Sequence, residues 1–118
     1  MSQHGDLVND ILIELSALGL AWSNQTGQGW AGKYVGKNPR GDVVIANARP
    51  VKFGLPGSTD ILACIRSRMI TVEVKTGTGR LQTNQKDFRA AAARAGALHI
   101  EARSVDDVRN TLKLEGLA

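Results

Sequence analysis

A chain of 118 residues, 42% apolar and 22% charged, has the size and mixture of one globular domain built round a single core. Its apolar runs fall far short of the roughly 20 residues a spanning helix needs, so no membrane partner is expected. A formal charge of +4 and a pI near 9.6 admit an anionic partner without demanding one.

Residues 6–18, DLVNDILIELSAL, put Leu7, Val8, Ile11, Leu12, Leu15 and Leu18 on one stripe of a 3.6-residue period. This is an amphipathic helix, with Asp6 as N-cap and Gly19 as C-cap. LAW then opens a short strand that runs into a Gly-rich, polar, basic stretch, read as irregular or hairpin-like. DVVIANARPVKFG holds two β-prone pieces, and Pro50 makes any strand there an edge or an interrupted one. After the turn signal LPGS, residues 60–75 form a hairpin of two apolar strands. TGTGR is a loop, and TNQKDFRAAAARAG a helix with Thr83 as N-cap and Gly96 as C-cap. ALHIEAR is a strand able to pair in parallel with 70–75. SVDDVRNTLKLEG is a helix opened by a capping box of Ser104 and Asp107. The order gives an α/β sandwich, one mixed central sheet flanked by helices.

The polar N-terminal MSQHGDLVND lacks a signal-peptide pattern, and the lone Cys64 precludes a disulfide within the chain. Both suit a reducing cytoplasm, and Cys64 is expected to be a buried small hydrophobe. Positive charge gathers between residues 33 and 52, where Lys33, Lys37, Arg40, Arg49 and Lys52 face only Asp42, and Arg66 and Arg68 add a basic hairpin tip. This is either a solvated surface or a phosphate-binding one. His4 and His99 lie too far apart for zinc-type spacing, and His99 is read as a strand residue with a packing or solvent role.

The hairpin carries the chemistry. A two-residue loop at Ser67–Arg68, or a four-residue one from Arg66 to Met69, makes paired residue numbers sum to 135, with Asp60 opposite Lys75 and Leu62 opposite Glu73. Alternation then projects Asp60, Glu73 and Lys75 from one face, while Ile61, Ala63, Ile65, Ile70, Val72 and Val74 fill the core side. A loop one residue longer or shorter would move Asp60 to the other face. Two carboxylates beside an ammonium form either a surface ion pair with a bystander acid or a site for a hard divalent cation such as Mg²⁺ or Mn²⁺.

Asp60, twelve residues, then Glu73-Val74-Lys75 also matches the PD-(D/E)XK nuclease pattern. GLPGSTDILA, ITVEVKTGTGRLQTNQKDF and AARAGALHIEARSVDDV resemble its VRR-NUC (virus-type replication-repair nuclease) branch over residues 51–110, and more weakly over 6–30, where a helix with an acid and a strand ending NQTG also fit. Thr59 stands where the superfamily has proline. The resemblance implies a restriction-endonuclease-like fold, a single nuclease domain over residues 1–118, and a metal-dependent DNA endonuclease. Asp60, Glu73 and the Val74 carbonyl would be metal ligands, Lys75 the catalytic lysine, Gln85 a contact to water or phosphate, and Glu14 a further metal contact. The basic stretch, with Lys33, Lys37, Arg40, Arg49 and Lys52, and Arg80 beyond the E-x-K strand would bind DNA. Free-standing members of the branch are small phage or bacterial proteins, which implies a cytoplasmic homodimer cutting four-way junctions in recombination or repair. Flap or single-strand nicking, and DNA binding without catalysis, remain alternatives. Trp22 and Trp30 are candidates for the dimer or DNA surface, with Trp22 expected in the core.

Overall fold

A computed structural model of the chain describes residues 3–24, 27–53, 59–77 and 83–118; of 27, 28, 52, 53, 83 and 84 it describes the backbone only. Three helices and six strands follow in the order α1 (Gln3–Ser16), β1 (Leu20–Ser23), β2 (Gly27–Lys37), β3 (Val43–Phe53), β4 (Ile61–Ile65), β5 (Arg68–Val74), α2 (Thr83–Arg94), β6 (Leu98–Ala102) and α3 (Val105–Leu114). The central sheet has the order β1-β4-β5-β6, antiparallel except for the parallel β5–β6 pair expected from the sequence. The protein is therefore mixed α/β with a mixed central sheet. No described helix is long and apolar enough to cross a membrane.

The core lies on the sheet face formed by Ile61, Ala63, Ile65, Ile70, Val72, Val74, Ile100 and Ala102. Against it pack Ile11 and Leu15 of α1 and Val108 and Leu112 of α3, all fully buried. Each such side chain contributes about 1.5–3 kcal/mol by leaving water, which is why the 3.6-residue stripe and the alternating strands determine this half of the molecule. Helix α1 begins three residues before the expected start, so Asp6 sits in the first turn, where its charge favours the helix dipole, and does not cap it. Gly19 serves a different purpose from a C-cap. A Cβ there would come within 2.4 Å of the Cys64 carbonyl, so glycine lets the α1–β1 turn lie directly on β4. Gly96 does end α2 as expected, with φ near +90° and the paired bonds Gly96 N–H to Ala93 and Ala97 N–H to Ala92. Ser104 caps α3 by accepting from Asp107 N–H. Asp107 returns its own side chain to Arg103 N–H, one residue before the capping-box partner.

The hairpin register differs from the expected one. The pairs are Ile61–Val72, Leu62–Thr71 and Ile65–Arg68, so the loop is Arg66–Ser67 and paired numbers sum to 133. Both loop residues have left-handed backbones, with φ of 49° and 66°. That geometry matches the twist of the flanking strands, which a two-residue loop at Ser67–Arg68 would have to achieve one step later. The displacement keeps the parity of the pairing, and the ladder ends at Ile61–Val72, with Asp60 just before it donating its N–H to the Val72 carbonyl. Cys64, on the outer face of the sheet, is exposed where a buried residue was expected. Trp22, aligned with Leu62, is likewise 44% exposed and lies outside the core. Arg66 and Arg68 are not free at the hairpin tip: they donate to the Gly116 and Gly96 carbonyls at the ends of α3 and α2.

Strands β2 and β3 form a separate two-stranded ribbon. Of the two readings of this stretch, irregular or hairpin-like, the second holds, with two register shifts in the ladder, and Pro50 sits within β3 opposite Trp30 because in a two-stranded ribbon every strand is an edge. The ribbon packs on itself and extends the molecule to 53 × 30 × 28 Å. A radius of gyration of 17.2 Å exceeds the roughly 14 Å of a compact chain of this length, which is the signature of a projecting arm. The turn expected at 55–58 and residues 78–80 of the expected loop lie outside the described residues.

The strained loop gives a direct check. Ser67→Gly should raise stability by about 1 kcal/mol in urea unfolding, because glycine adopts a left-handed backbone without steric cost. A loss of stability would mean that the loop conformation differs from the one described.

Candidate active site

Strands β4 and β5 deliver the site. Asp60 stands at the entry to β4, and its Oδ2 accepts the Val74 N–H at 2.8 Å, so a side chain takes the place of a ladder partner and pins the two strands together. Asn24, just past β1, clamps the same peptide from the other side. Its side chain donates to the Thr59 carbonyl and its N–H to the Asp60 carbonyl, both at 2.8 Å.

Glu73 and Lys75 follow at alternate positions. Glu73 is 8% exposed, with its Oε1 at 3.8 Å from Lys75 Nζ. Gln85, in the first turn of α2, donates to that oxygen at 3.2 Å and accepts from Lys75 at 3.5 Å. Gln85, expected to contact water or phosphate, thus bridges the two side chains of the E-x-K strand. Burial, and then the charge of Asp60, push the Glu73 carboxyl up to about 7, while Lys75 and His4 pull the other way.

His4, in the first turn of α1, brings Nε2 to 3.5 Å from Asp60 Oδ2. It was absent from the candidate residues because its approach is tertiary, from the opposite end of the chain. Asn24 was legible only through the NQTG match. Together His4, Gly5, Val8, Asn9, Ser23, Asn24 and Asp60 line an open cleft of about 310 Å³ beside the acids.

Glu14 does not join them. It lies ten residues beyond His4, about 15 Å along α1, and pairs with Arg109 of α3 through two hydrogen bonds of 2.7 and 2.9 Å. Arg109 holds its carboxyl below the ordinary range. The margin of the apolar stripe that carries Glu14 faces α3, so the acid ties two helices together. His99 takes a packing role: its Nδ1 is 2.7 Å from Thr71 Oγ1, its ring meets Phe88 edge to face, and burial lowers its pKa.

Lys33, Lys37, Arg40 and Arg49 all lie on the β2–β3 arm or its tip, away from the acids in the fold. The side chain of Lys52, and Arg80 altogether, lie outside the described residues. Compared with known proteins, the chain matches no family model and no curated sequence.

Asp60 and Glu73 form a hard oxygen donor pair with one carboxyl resisting ionisation, which an added cation would relieve. Among the described residues no three ligand-type side chains converge. Such a set suits Mg²⁺ or Mn²⁺ held by one or two carboxylates with water completing the sphere, and does not suit zinc.

Two outcomes follow. A carboxyl whose folded pKa is raised makes the folded state bind its proton more tightly, so its contribution is greatest below about pH 4.5 and is lost as pH rises to about 7. Without metal, Glu73→Gln should therefore gain over wild type between pH 5 and pH 8, approaching on the order of 3 kcal/mol in melts at both pH values. An equal effect at the two pH values would show that Glu73 ionises normally. Glu14→Gln should lower the melting temperature modestly at low salt and leave any metal affinity unchanged; weakened metal binding would return Glu14 to the site.

Proposed function

We propose that the protein is a Mg²⁺- or Mn²⁺-dependent endonuclease of DNA, of the VRR-NUC branch of the PD-(D/E)XK nucleases and with their restriction-endonuclease-like fold. The observation that carries this reading is the meeting of two acids at the open end of one hairpin: Asp60 accepts Val74 N–H and its charge raises the Glu73 carboxyl, while Lys75 and Gln85 close over Glu73. A surface ion pair explains it poorly. Asp60 bonds Val74 N–H rather than Lys75, and Glu73 is buried at a cost that nothing in the fold requires.

Asp60, Glu73 and the Val74 carbonyl would hold the cation. A bound divalent ion supplies positive charge at the scissile phosphate and makes water more acidic. Lys75 holds a water or a phosphate oxygen by hydrogen bonding and offsets the charge that develops there. Gln85 fixes the positions of Lys75 and Glu73 by bonding both. In the hydrolysis the water oxygen bonds to phosphorus, the bond from phosphorus to the leaving oxygen breaks, and the proton passes to solvent.

Four-way junctions are the proposed substrate and a homodimer the proposed assembly. A strip of the outer sheet face that α2 leaves uncovered supports the dimer: Leu20, Trp22, Cys64 and Met69 are exposed there. Two-fold symmetry would set two such sites on opposed strands. The free cysteine is in keeping with a cytoplasmic setting in a bacterial or phage-infected cell.

The test is a labelled four-way junction beside a matched linear duplex, each with Mg²⁺, Mn²⁺ or EDTA. Symmetric, metal-dependent cuts confined to the junction are expected. Lys75→Ala should lower the rate at least about 100-fold while leaving DNA affinity and melting temperature nearly unchanged. Cutting of both substrates would overturn the junction preference in favour of a less selective nuclease. Binding without cutting under every metal condition would overturn the enzyme reading.

A further inference from the structure

Charge is divided unevenly between the two parts of the molecule. Residues 27–53, which make up the arm, hold Lys33, Lys37, Arg40, Arg49 and Lys52 against Asp42 alone, and so carry the whole formal charge of +4. The rest of the chain holds ten basic and ten acidic residues and is neutral. Within the body the charges are also spent on each other: Arg68, Arg89, Arg103 and Arg109 all pair with acids. On the arm Arg40 approaches Asp42 at 3.6 Å, whereas Lys33, Lys37 and Arg49 pair with no acid among the described residues.

The arm also exposes what a soluble surface normally hides. Trp30 is 70% and Tyr34 63% exposed, and Val35, Val43 and Val44 lie open beside them. Trp30 and Tyr34 occupy alternate positions of β2 with Gly32 between, so both rings stand on one face, about 13 Å apart along the strand. Gly32 keeps the ribbon thin: a Cβ there would come within 2.7 Å of the Ala46 carbonyl. Arg49, aligned with Ala31, belongs to the opposite face. A two-stranded ribbon with both faces open is marginal in water, and its exposed rings gain most when something covers them.

We propose that the β2–β3 arm grips an unpaired DNA strand, stacking bases on Trp30 and Tyr34 while Lys33, Lys37 and Arg49 contact phosphates. Charge complementarity selects a polyanion, and flat exposed rings on one face of the ribbon, with Lys33 and Arg49 on the other, select one that carries bases and is thin enough to be reached from both faces. Bases of this kind are exposed at the centre of a branched DNA or in a single strand. The inference rests on the DNA reading of the protein only for its partner. It needs no catalysis, and assigns the arm most of the affinity while the neutral body does the chemistry.

The test uses the full chain in EDTA, where no cutting occurs, with a labelled 20-nucleotide thymidine strand and a blunt 20-base-pair duplex. Anisotropy should show the single strand bound more tightly. Trp30→Ala should weaken that binding about tenfold, within the range for loss of one stacked base. Lys33→Ala with Arg49→Ala should flatten the slope of log affinity against log salt by about 1.4, the change for two phosphate contacts to a single strand. In Trp22→Phe, the remaining Trp30 emission should be quenched by the strand; wild type and Trp30→Ala give the same information by anisotropy if that variant fails to fold. Unchanged affinity and slope in the arm variants would overturn the proposal. So would a Trp30 signal that responds to protein concentration alone, or to anionic lipid vesicles but not to DNA. Because binding is read without metal, an inactive enzyme leaves this outcome intact, and a failed arm leaves cleavage by the body to be scored separately.

Discussion

The hydrogen bond from Val74 N–H to the Asp60 carboxylate joins the backbone of one strand to the side chain that opens the other, and the arrangement of the acids depends on it. With the Arg66–Ser67 loop at the far end, it fixes the two ends of the hairpin and holds Asp60 near enough to Glu73 for its charge to raise that carboxyl. Neither end is cheap. The loop places two ordinary residues in left-handed conformations, and the open end brings two acids together. The aliphatic face beneath supplies the stability that sustains both costs, through Ile61, Val72 and Val74 packed on α1 and α3.

That dependence explains which features were legible in the sequence. Period-two alternation determined the face of Asp60, Glu73 and Lys75, because any odd pairing sum leaves them together. The sum itself was off by two, since a loop of arginine and serine residues carries no glycine or asparagine to mark its turn. The stripe on α1 located the core residues Ile11 and Leu15 but misassigned Glu14. A helical wheel shows that an acid lies at the margin of a stripe, not which neighbour waits there, and that neighbour is Arg109, 95 residues away. His4 and Asn24 were hidden for the same reason. Trp22 and Cys64 looked like core by composition, yet they fall on the face of the sheet that α2 covers only in part.

The ribbon was the least legible element. Glycines at 27, 29, 32, 36 and 41 and the proline at 50 suggested irregular chain, because β propensity counts them against a strand. A two-stranded arm tolerates them, since it has no inner strand whose every N–H must be paired. The outcome is a molecule in two functional parts. A neutral α/β body holds the buried Glu73 beside the half-buried Asp60, and a basic, aromatic arm projects from it. The ionisation of Glu73 answers to groups of the body: burial, Asp60, Lys75, His4 and Glu101.

The measurement closest to the central claim is the ionisation of the Glu73 carboxyl, followed by carbon-13 NMR through a pH titration with and without Mg²⁺. If Asp60 and Glu73 share a cation site, the carboxyl should titrate near 7 in the metal-free protein, and the midpoint should fall well below that once Mg²⁺ is present. In Asp60→Asn the metal-free value should drop as well, because a like charge has been removed. A midpoint near the ordinary 4.5, or one that Mg²⁺ at millimolar concentration leaves unmoved, would contradict a cation site at these two acids.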